Sequence, residues 1–266
     1  MKGPRMSKRI VIPYLLRQSV KVDSLAGGKV VVQGSGFVCE NLGQHWLVTN
    51  RHVLLNRLPE SNEYFVRKEI PTHVRITWIW DDLVTDQMEI PLFDAGKPLW
   101  IEHPPLAKDL DLVAIPVPSG PFVDVDLVSS LDEDGPDVSV GDPVIVAGFP
   151  FGISGGVDGL PVAFSGILSS PIGFAMDQKP RFLIDSRTRE GLSGSPVYYY
   201  PNSVASCKGA SGDIEFKNPI FIGLYCGRVN NNSDLGYVIE AEEIARTIVH
   251  KRPGSIAVSY THLRAH

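Results

Sequence analysis

The sequence has few cysteines and no long hydrophobic or basic segment. Only three cysteines occur in 266 residues, Cys39, Cys207 and Cys226, and no two of them form a Cys-x-x-Cys pair. An odd number at such spacings indicates neither a disulfide framework nor a metal-ligand pattern. Scarce cysteine is typical of a reducing compartment, so we expect a cytoplasmic protein.

Two classes of partner are disfavoured by what the sequence lacks. The net charge is −5 and lysine and arginine form no run, so a nucleic-acid-binding stripe is not expected. No apolar run reaches the roughly 18 residues that a membrane helix needs. The apolar patch at residues 10–16 is interrupted by Pro13 and is followed by no small-residue cleavage site, which argues against a signal peptide.

Glycine and proline are frequent, with 25 and 21 residues, and they separate many short β-branched segments. This composition favours an all-β sandwich or barrel. The segments form two groups of about six strands, followed by one amphipathic helix at residues 240–250. We therefore expect two packed six-stranded β-barrels with a C-terminal helix in a domain of residues 17–252. The first barrel is predicted at about 17–122 and the second at about 138–240.

Three short motifs carry candidate catalytic residues. A glycine-flanked turn presents Ser193, His52 follows an apolar strand, and Asp111 precedes another. A serine hydroxyl needs a base to take its proton, and histidine suits that task near neutral pH. We assign Ser193 as nucleophile, His52 as general base and acid, and Asp111 as the carboxylate that orients the imidazole. The main-chain N–H groups of Gly191 and Ser193 are predicted to form an oxyanion hole, in which one donor is typically worth about 2.7–4 kcal/mol.

The order His, Asp, Ser is that of the chymotrypsin family, and the motifs resemble its trypsin-like, bacterial HtrA-type serine peptidases. The similar segments span roughly residues 31–248 and are residues 34–38, 46–53, 109–115, 144–152 and 165–169. The resemblance implies a chymotrypsin-like fold with the triad between two barrels, and peptide-bond hydrolysis through an acyl-enzyme without cofactor or metal. The sequence departs from the family in having Ser195 where glycine is usual and no cysteine beside His52.

The resemblance also implies where a substrate side chain would be bound. The segment before Ser193 and the strand near residues 223–227 would line that pocket, which gives Arg187, Glu190, Tyr225, Gly227 and Arg228 as candidates. Arginine at position 187 or 228 would favour an acidic residue. A floor of Tyr225 and Cys226 would favour a small apolar one. Both possibilities stay open from the sequence.

A second class of function is a catalytically silent trypsin-fold binding or sensing module attached to a missing C-terminal effector. The presence of all three triad residues favours the serine endopeptidase acting on proteins or peptides. The tail at residues 253–266 is expected to be partly non-native, because residues 258–266 read as a translated transposase-type sequencing adaptor. A further C-terminal module is expected to have been lost there.

Overall fold

The computed structural model describes residues 13–80, 82–106, 109–127, 137–200 and 219–255. These residues form sixteen strands, β1 to β16, and three helices, α1 to α3. In chain order the elements are α1 Tyr14–Arg17, β1 Ser19–Ala26, β2 Lys29–Asn41, β3 Gln44–Thr49, α2 Arg51–Leu55, β4 His73–Ile79, β5 Thr85–Pro91, β6 Phe93–Asp94, β7 Lys97–Pro98, β8 Ile101–Glu102, β9 Val113–Val117, β10 Pro143–Gly148, β11 Val162–Leu168, β12 Arg181–Ser186, β13 Pro196–Tyr199, β14 Ile220–Arg228, β15 Leu235–Glu240, α3 Ala241–His250 and β16 Arg252–Pro253.

The second lobe, β10 to β15, is a closed six-stranded barrel in the order β10-β11-β12-β15-β14-β13. Its strands are antiparallel, and β10 pairs with both β11 and β13 to close the ring. Strand alternation sends Val144, Val146 and Phe182 into a core shared by all six strands. The predicted second barrel is thus confirmed.

The first lobe is a strongly curled sheet in which eight strands pair in the order β16-β8-β9-β3-β2-β1-β4-β5. No strand pair closes this sheet among the described residues, which differs from the expected six-stranded barrel. One main-chain hydrogen bond, from the N–H of Leu99 to the carbonyl of Leu92 at 3.0 Å, joins the segment before β8 to the segment after the edge strand β5. A single core receives side chains from most of its strands, including Val22, Leu47 and Ile76. The mostly β architecture is therefore as predicted.

The two lobes and the C-terminal helix share a third core. Phe37 of the first lobe meets Phe221 of the second with ring centroids 5.0 Å apart, and Ile244 and Ile248 of α3 pack into the same cluster. After the helix, β16 returns to pair with β8 of the first sheet, a strand that the sequence analysis did not predict. None of the described helices is long and apolar enough to cross a membrane. Cys39 and Cys226 are free thiols, while Cys207 and residues 256–266 lie outside the described residues.

Candidate active site

His52 and Asp111 are brought together by the pairing of β3 with β9. Thr49 lies opposite Val113 in this pair, so the residues just after β3 and just before β9 are neighbours. His52 Nδ1 is 2.6 Å from Asp111 Oδ2, and the main-chain N–H of His52 donates to Asp111 Oδ1 at 3.0 Å. Both carboxylate oxygens of Asp111 therefore accept hydrogen bonds from His52. With the proton on Nδ1 donated to Asp111, the lone pair of the neutral ring is on Nε2, as a general base requires.

The surroundings of this pair contain polar but neutral groups. The Asn50 side chain donates to the carbonyl of Asp111 at 2.6 Å and lies 3.4 Å from Cys226 Sγ. Burial, followed by the negative charge of Asp111, raises the pKa of the Cys226 thiol. Cys226 therefore stays protonated at neutral pH and adds no second negative charge beside Asp111.

The turn that carries Ser193 depends on two glycines with positive φ, Gly191 at 88° and Gly194 at 90°. A Cβ on Gly194 would lie 1.9 Å from the Ser35 carbonyl oxygen, so only glycine fits there. The N–H of Gly194 donates to the Tyr225 carbonyl at 2.8 Å, and the N–H of Ser195 donates to the Leu192 carbonyl at 3.0 Å. Main-chain contacts therefore fix the position of the nucleophile.

The peptide before Gly191 is oriented as an oxyanion hole requires. The Glu190 carbonyl accepts a hydrogen bond from the N–H of Phe151 at 2.7 Å. In a planar trans peptide the N–H points opposite to the carbonyl, so the Gly191 N–H points away from Phe151. Within the described part of the chain, the N–H groups of Gly191 and Ser193 have no hydrogen-bond acceptor. Gly191 and Ser193, the residues predicted to form an oxyanion hole, therefore each have a main-chain N–H that is not used within the described structure.

The Ser193 hydroxyl donates to the carbonyl of Cys226 at 3.3 Å. It makes no hydrogen bond to His52, although both residues belong to the described part of the chain. The side chain must therefore turn towards His52 before the proton can be transferred. Bonds of this kind are often absent in ligand-free enzymes and form only with substrate.

Ser35 connects the Ser193 turn to the first lobe, a role that the sequence analysis missed. Its hydroxyl donates to the Gly191 carbonyl at 2.8 Å and accepts from the Phe149 N–H at 2.9 Å. Its N–H donates to the Ser193 carbonyl at 2.8 Å. The Gly34-Ser35-Gly36 sequence was the available signal, because small residues allow another main chain to approach a strand closely.

Phe65 covers the imidazole of His52 with ring centroids 4.6 Å apart. Its loop is held by Asn56, which has φ of 55°. The Asn56 side chain donates to the carbonyls of Arg67 and Glu69 at 2.7 and 2.9 Å and accepts from the N–H of Val66 at 3.1 Å. The cleft is therefore apolar next to His52. Nothing in the sequence motifs indicated this contact.

The three triad residues line one open cleft of about 960 Å³. The predicted pocket residues Glu190, Tyr225, Gly227 and Arg228 also line it. Arg187 is not among the residues that line it: Ser186 and Thr188 are buried and Arg187 between them is exposed. Its place in a substrate pocket stays a prediction. No group of three or more His, Cys, Asp or Glu side chains suited to a metal ion occurs in the described residues.

A family model described as a trypsin-like peptidase domain matches residues 34–202, and it therefore includes His52, Asp111 and Ser193. The chain belongs to the trypsin-like peptidase family. A search of curated proteins found none that matches this chain in sequence. The HtrA-type branch stays a prediction, because the solved structures, at 13–18% identity, share only the fold with this chain.

Three solved structures similar to this trypsin-like peptidase share its fold at low identity. The serine endoprotease of Yersinia pestis is 13% identical with a TM-score of 0.54. The match covers 91% of this chain and 67% of the Yersinia chain. The active form of the Rv3671c protease of M. tuberculosis is 18% identical with a TM-score of 0.52, covering 96% of both chains. An HtrA-type protease, AlgW, solved with a tripeptide, is 14% identical with a TM-score of 0.55. The match covers 90% of this chain and 63% of the AlgW chain.

Proposed function

We propose that this trypsin-like peptidase is a serine endopeptidase that hydrolyses peptide bonds of proteins or peptides. The observation that carries the proposal is the pair of N–H groups at Gly191 and Ser193, which lack an acceptor beside the predicted nucleophile. A protein that only binds a partner has no need of two unpaired donors at that point. The His52–Asp111 pair in the same cleft supplies the base that the serine needs.

In the proposed reaction Ser193 Oγ attacks the carbonyl carbon of the scissile bond while His52 Nε2 takes the hydroxyl proton. The negative charge that develops on the carbonyl oxygen is stabilised by the N–H groups of Gly191 and Ser193. Asp111 stabilises the imidazolium, which then gives its proton to the leaving amine as the carbon–nitrogen bond breaks. Water, deprotonated by His52, hydrolyses the acyl-enzyme and restores the Ser193 hydroxyl.

The cleft has the dimensions and lining expected for a peptide substrate. The lining is mixed, and its apolar members are Val30, Val31, Val32, Leu58, Pro59, Phe65, Val66 and Phe151. The AlgW structure was solved with a tripeptide, and we propose an extended peptide for this chain. A cleft of about 960 Å³ with a mixed lining suits several substrate residues.

The test is labelling with a fluorophosphonate, which reacts covalently with an activated serine. The wild type should be labelled, and labelling should disappear in Ser193→Ala and fall strongly in His52→Ala at equal thermal stability. Ser169→Ala, a serine of the same barrel outside the cleft, is the control and should label like wild type.

The second candidate is the catalytically silent module. One observation favours it, namely that the Ser193 hydroxyl donates to the Cys226 carbonyl and not to His52. If a folded wild type resists the fluorophosphonate, this module is the correct assignment and the endopeptidase is excluded. The cytoplasmic location stays a prediction.

A further inference from the structure

Membership of the trypsin-like peptidase family implies where the substrate side chain before the scissile bond would lie. It is expected between the segment before Ser193 and strand β14. The two are adjacent, because the N–H of Gly194 donates to the Tyr225 carbonyl at 2.8 Å and the N–H of Tyr225 donates to the Ser195 carbonyl at 2.9 Å. The contents of this space therefore decide which substrate residue fits.

The ring of Tyr225 fills that space. Tyr225 is only 1% exposed and packs with Leu192 and Val238 in the core of the second lobe. Its hydroxyl lies 2.5 Å from Thr188 Oγ1, and Thr188 is completely buried. The ring thus extends from β14 to the segment that leads to Ser193.

Gly236 of β15 provides the room for this ring. A Cβ at position 236 would lie 2.4 Å from Cε2 of Tyr225 and 3.0 Å from its hydroxyl oxygen. Tyr225 belongs to the lining of the cleft, whereas Thr188 and Gly236, both described residues, do not. The tyrosine ring therefore separates these two residues from the cleft and forms its floor.

The floor carries no charge that could recognise an acidic or basic side chain. Burial raises the pKa of Tyr225 to about 12, so its hydroxyl is neutral. The two hydroxyls of Thr188 and Tyr225 bond to each other. Arg187 faces solvent, and Arg228 donates to the Asn231 carbonyl at 3.0 Å at the rim. An acidic preference, one of the two possibilities left open by the sequence, is thus disfavoured.

We propose that Tyr225 is a specificity-determining residue that restricts the substrate residue before the scissile bond to glycine, alanine or serine. This inference rests on the proposed endopeptidase function. A larger side chain would have to displace a buried ring that is bonded to Thr188 and packed against Gly236.

The test compares peptides that differ only in the residue before the scissile bond. For the wild type, kcat/KM for cleavage after alanine should be at least about 100-fold higher than for cleavage after phenylalanine. A closed pocket discriminates between substrates by a factor of this size. Tyr225→Ala opens a cavity that ends at Thr188 and Gly236, and it should reduce this ratio by about 10-fold or more. Tyr225→Phe removes only the hydroxyl, so the alanine preference should remain.

Fluorophosphonate labelling separates failure of the inference from failure of the function, because the probe has no amino-acid side chain. A wild type that is labelled but cleaves equally well after alanine and phenylalanine overturns the inference alone. A folded wild type that is not labelled overturns the proposed function and the inference with it. Should Tyr225→Ala not fold, the wild-type ratio and the milder Tyr225→Leu variant decide the question.

Discussion

The two lobes hold their halves of the cleft by different means. In the first lobe, side chains fix the proposed catalytic groups, with both oxygens of Asp111 bound to His52 and the Asn50 amide bound to the Asp111 carbonyl. In the second lobe, main-chain hydrogen bonds and the positive φ angles of Gly191 and Gly194 fix Ser193. The first half therefore depends on functional groups and the second on backbone geometry.

This difference predicts distinct sensitivities. In the first lobe, activity should survive small backbone adjustments but be lost when a charge or a proton is moved. In the second lobe, activity should survive changes in side-chain chemistry but be lost when a Cβ is added. Substitutions in each half, compared with a matched control, test the distinction.

The largest effect is expected in the first half. Asp111→Asn keeps the shape of the side chain but removes the charge and favours the wrong imidazole tautomer, so kcat should fall by about 10⁴-fold. Peptide hydrolysis and the thermal midpoint are measured together, and the midpoint should change little. Asp109→Asn, an exposed aspartate two residues earlier, is the control. Equal losses in the two variants would remove Asp111 from the mechanism.

The corresponding change in the second half is Gly194→Ala. A Cβ there would meet the Ser35 carbonyl oxygen at 1.9 Å and Thr49 Oγ1 at 2.5 Å. The free energy of unfolding should fall by more than about 3 kcal/mol, with loss of activity. Gly43→Ala has a similar φ of 78° with no atom within 4 Å, so it isolates the cost of the conformation, about 1–2 kcal/mol. Denaturant unfolding of both variants gives the comparison, and similar losses would show that the close contact with Ser35 is unimportant.

The same division explains what could be predicted from the sequence. His52, Asp111 and Ser193 stood out because their chemistry is specific and their strands have clear apolar patterns. The second barrel followed from its regular strands. The helix α2 was missed because its five residues are too few for a helical pattern.

The long-range contacts could not be predicted. Ser35 lies 156 residues from its partner Gly191, and no local pattern encodes that bond. Phe65 likewise reaches His52 only through a loop held by Asn56. Residues that act through tertiary contacts are therefore the ones that sequence reasoning misses.

A smaller effect is expected where the halves meet. Ser35→Ala leaves the partly buried carbonyl of Gly191 and the buried N–H of Phe149 without this partner, and an unpaired buried group costs about 1–3 kcal/mol. Because Gly191 is also a proposed oxyanion donor, kcat should fall by about 10–100-fold with KM little changed. Ser186→Ala removes a comparable buried hydroxyl that donates to the Ser165 carbonyl, away from the turn. A loss of stability in both variants without a selective loss of kcat in Ser35→Ala would mean that Ser35 is structural only.

The smallest effect concerns a second histidine–carboxylate pair, which attaches α3 to the first lobe. His103 Nε2 is 2.5 Å from Glu243 Oε2, and His103 Nδ1 accepts the N–H of Leu106 at 3.2 Å. In neutral His103 both ring nitrogens are thus hydrogen-bonded, with the proton on Nε2. In the His52–Asp111 pair the proton is on Nδ1 and Nε2 is left for the proposed chemistry. The same two residue types thus hold a helix in one place and have a proposed catalytic role in the other.

Protonation of His103 would place a second N–H against that of Leu106. Burial lowers the pKa of His103, the charges of Arg246 and His250 lower it further, and Glu243 opposes them. The unfolded chain, with an ordinary histidine pKa of about 6.5, therefore binds the proton more readily, and stability should fall as the pH drops below about 7. Urea midpoints at pH 7.5 and 5.5 measure this, and the decrease should be smaller in His103→Gln, which cannot titrate. Equal decreases in the two proteins would show that His103 does not take up the proton on unfolding and that this pair is insensitive to pH.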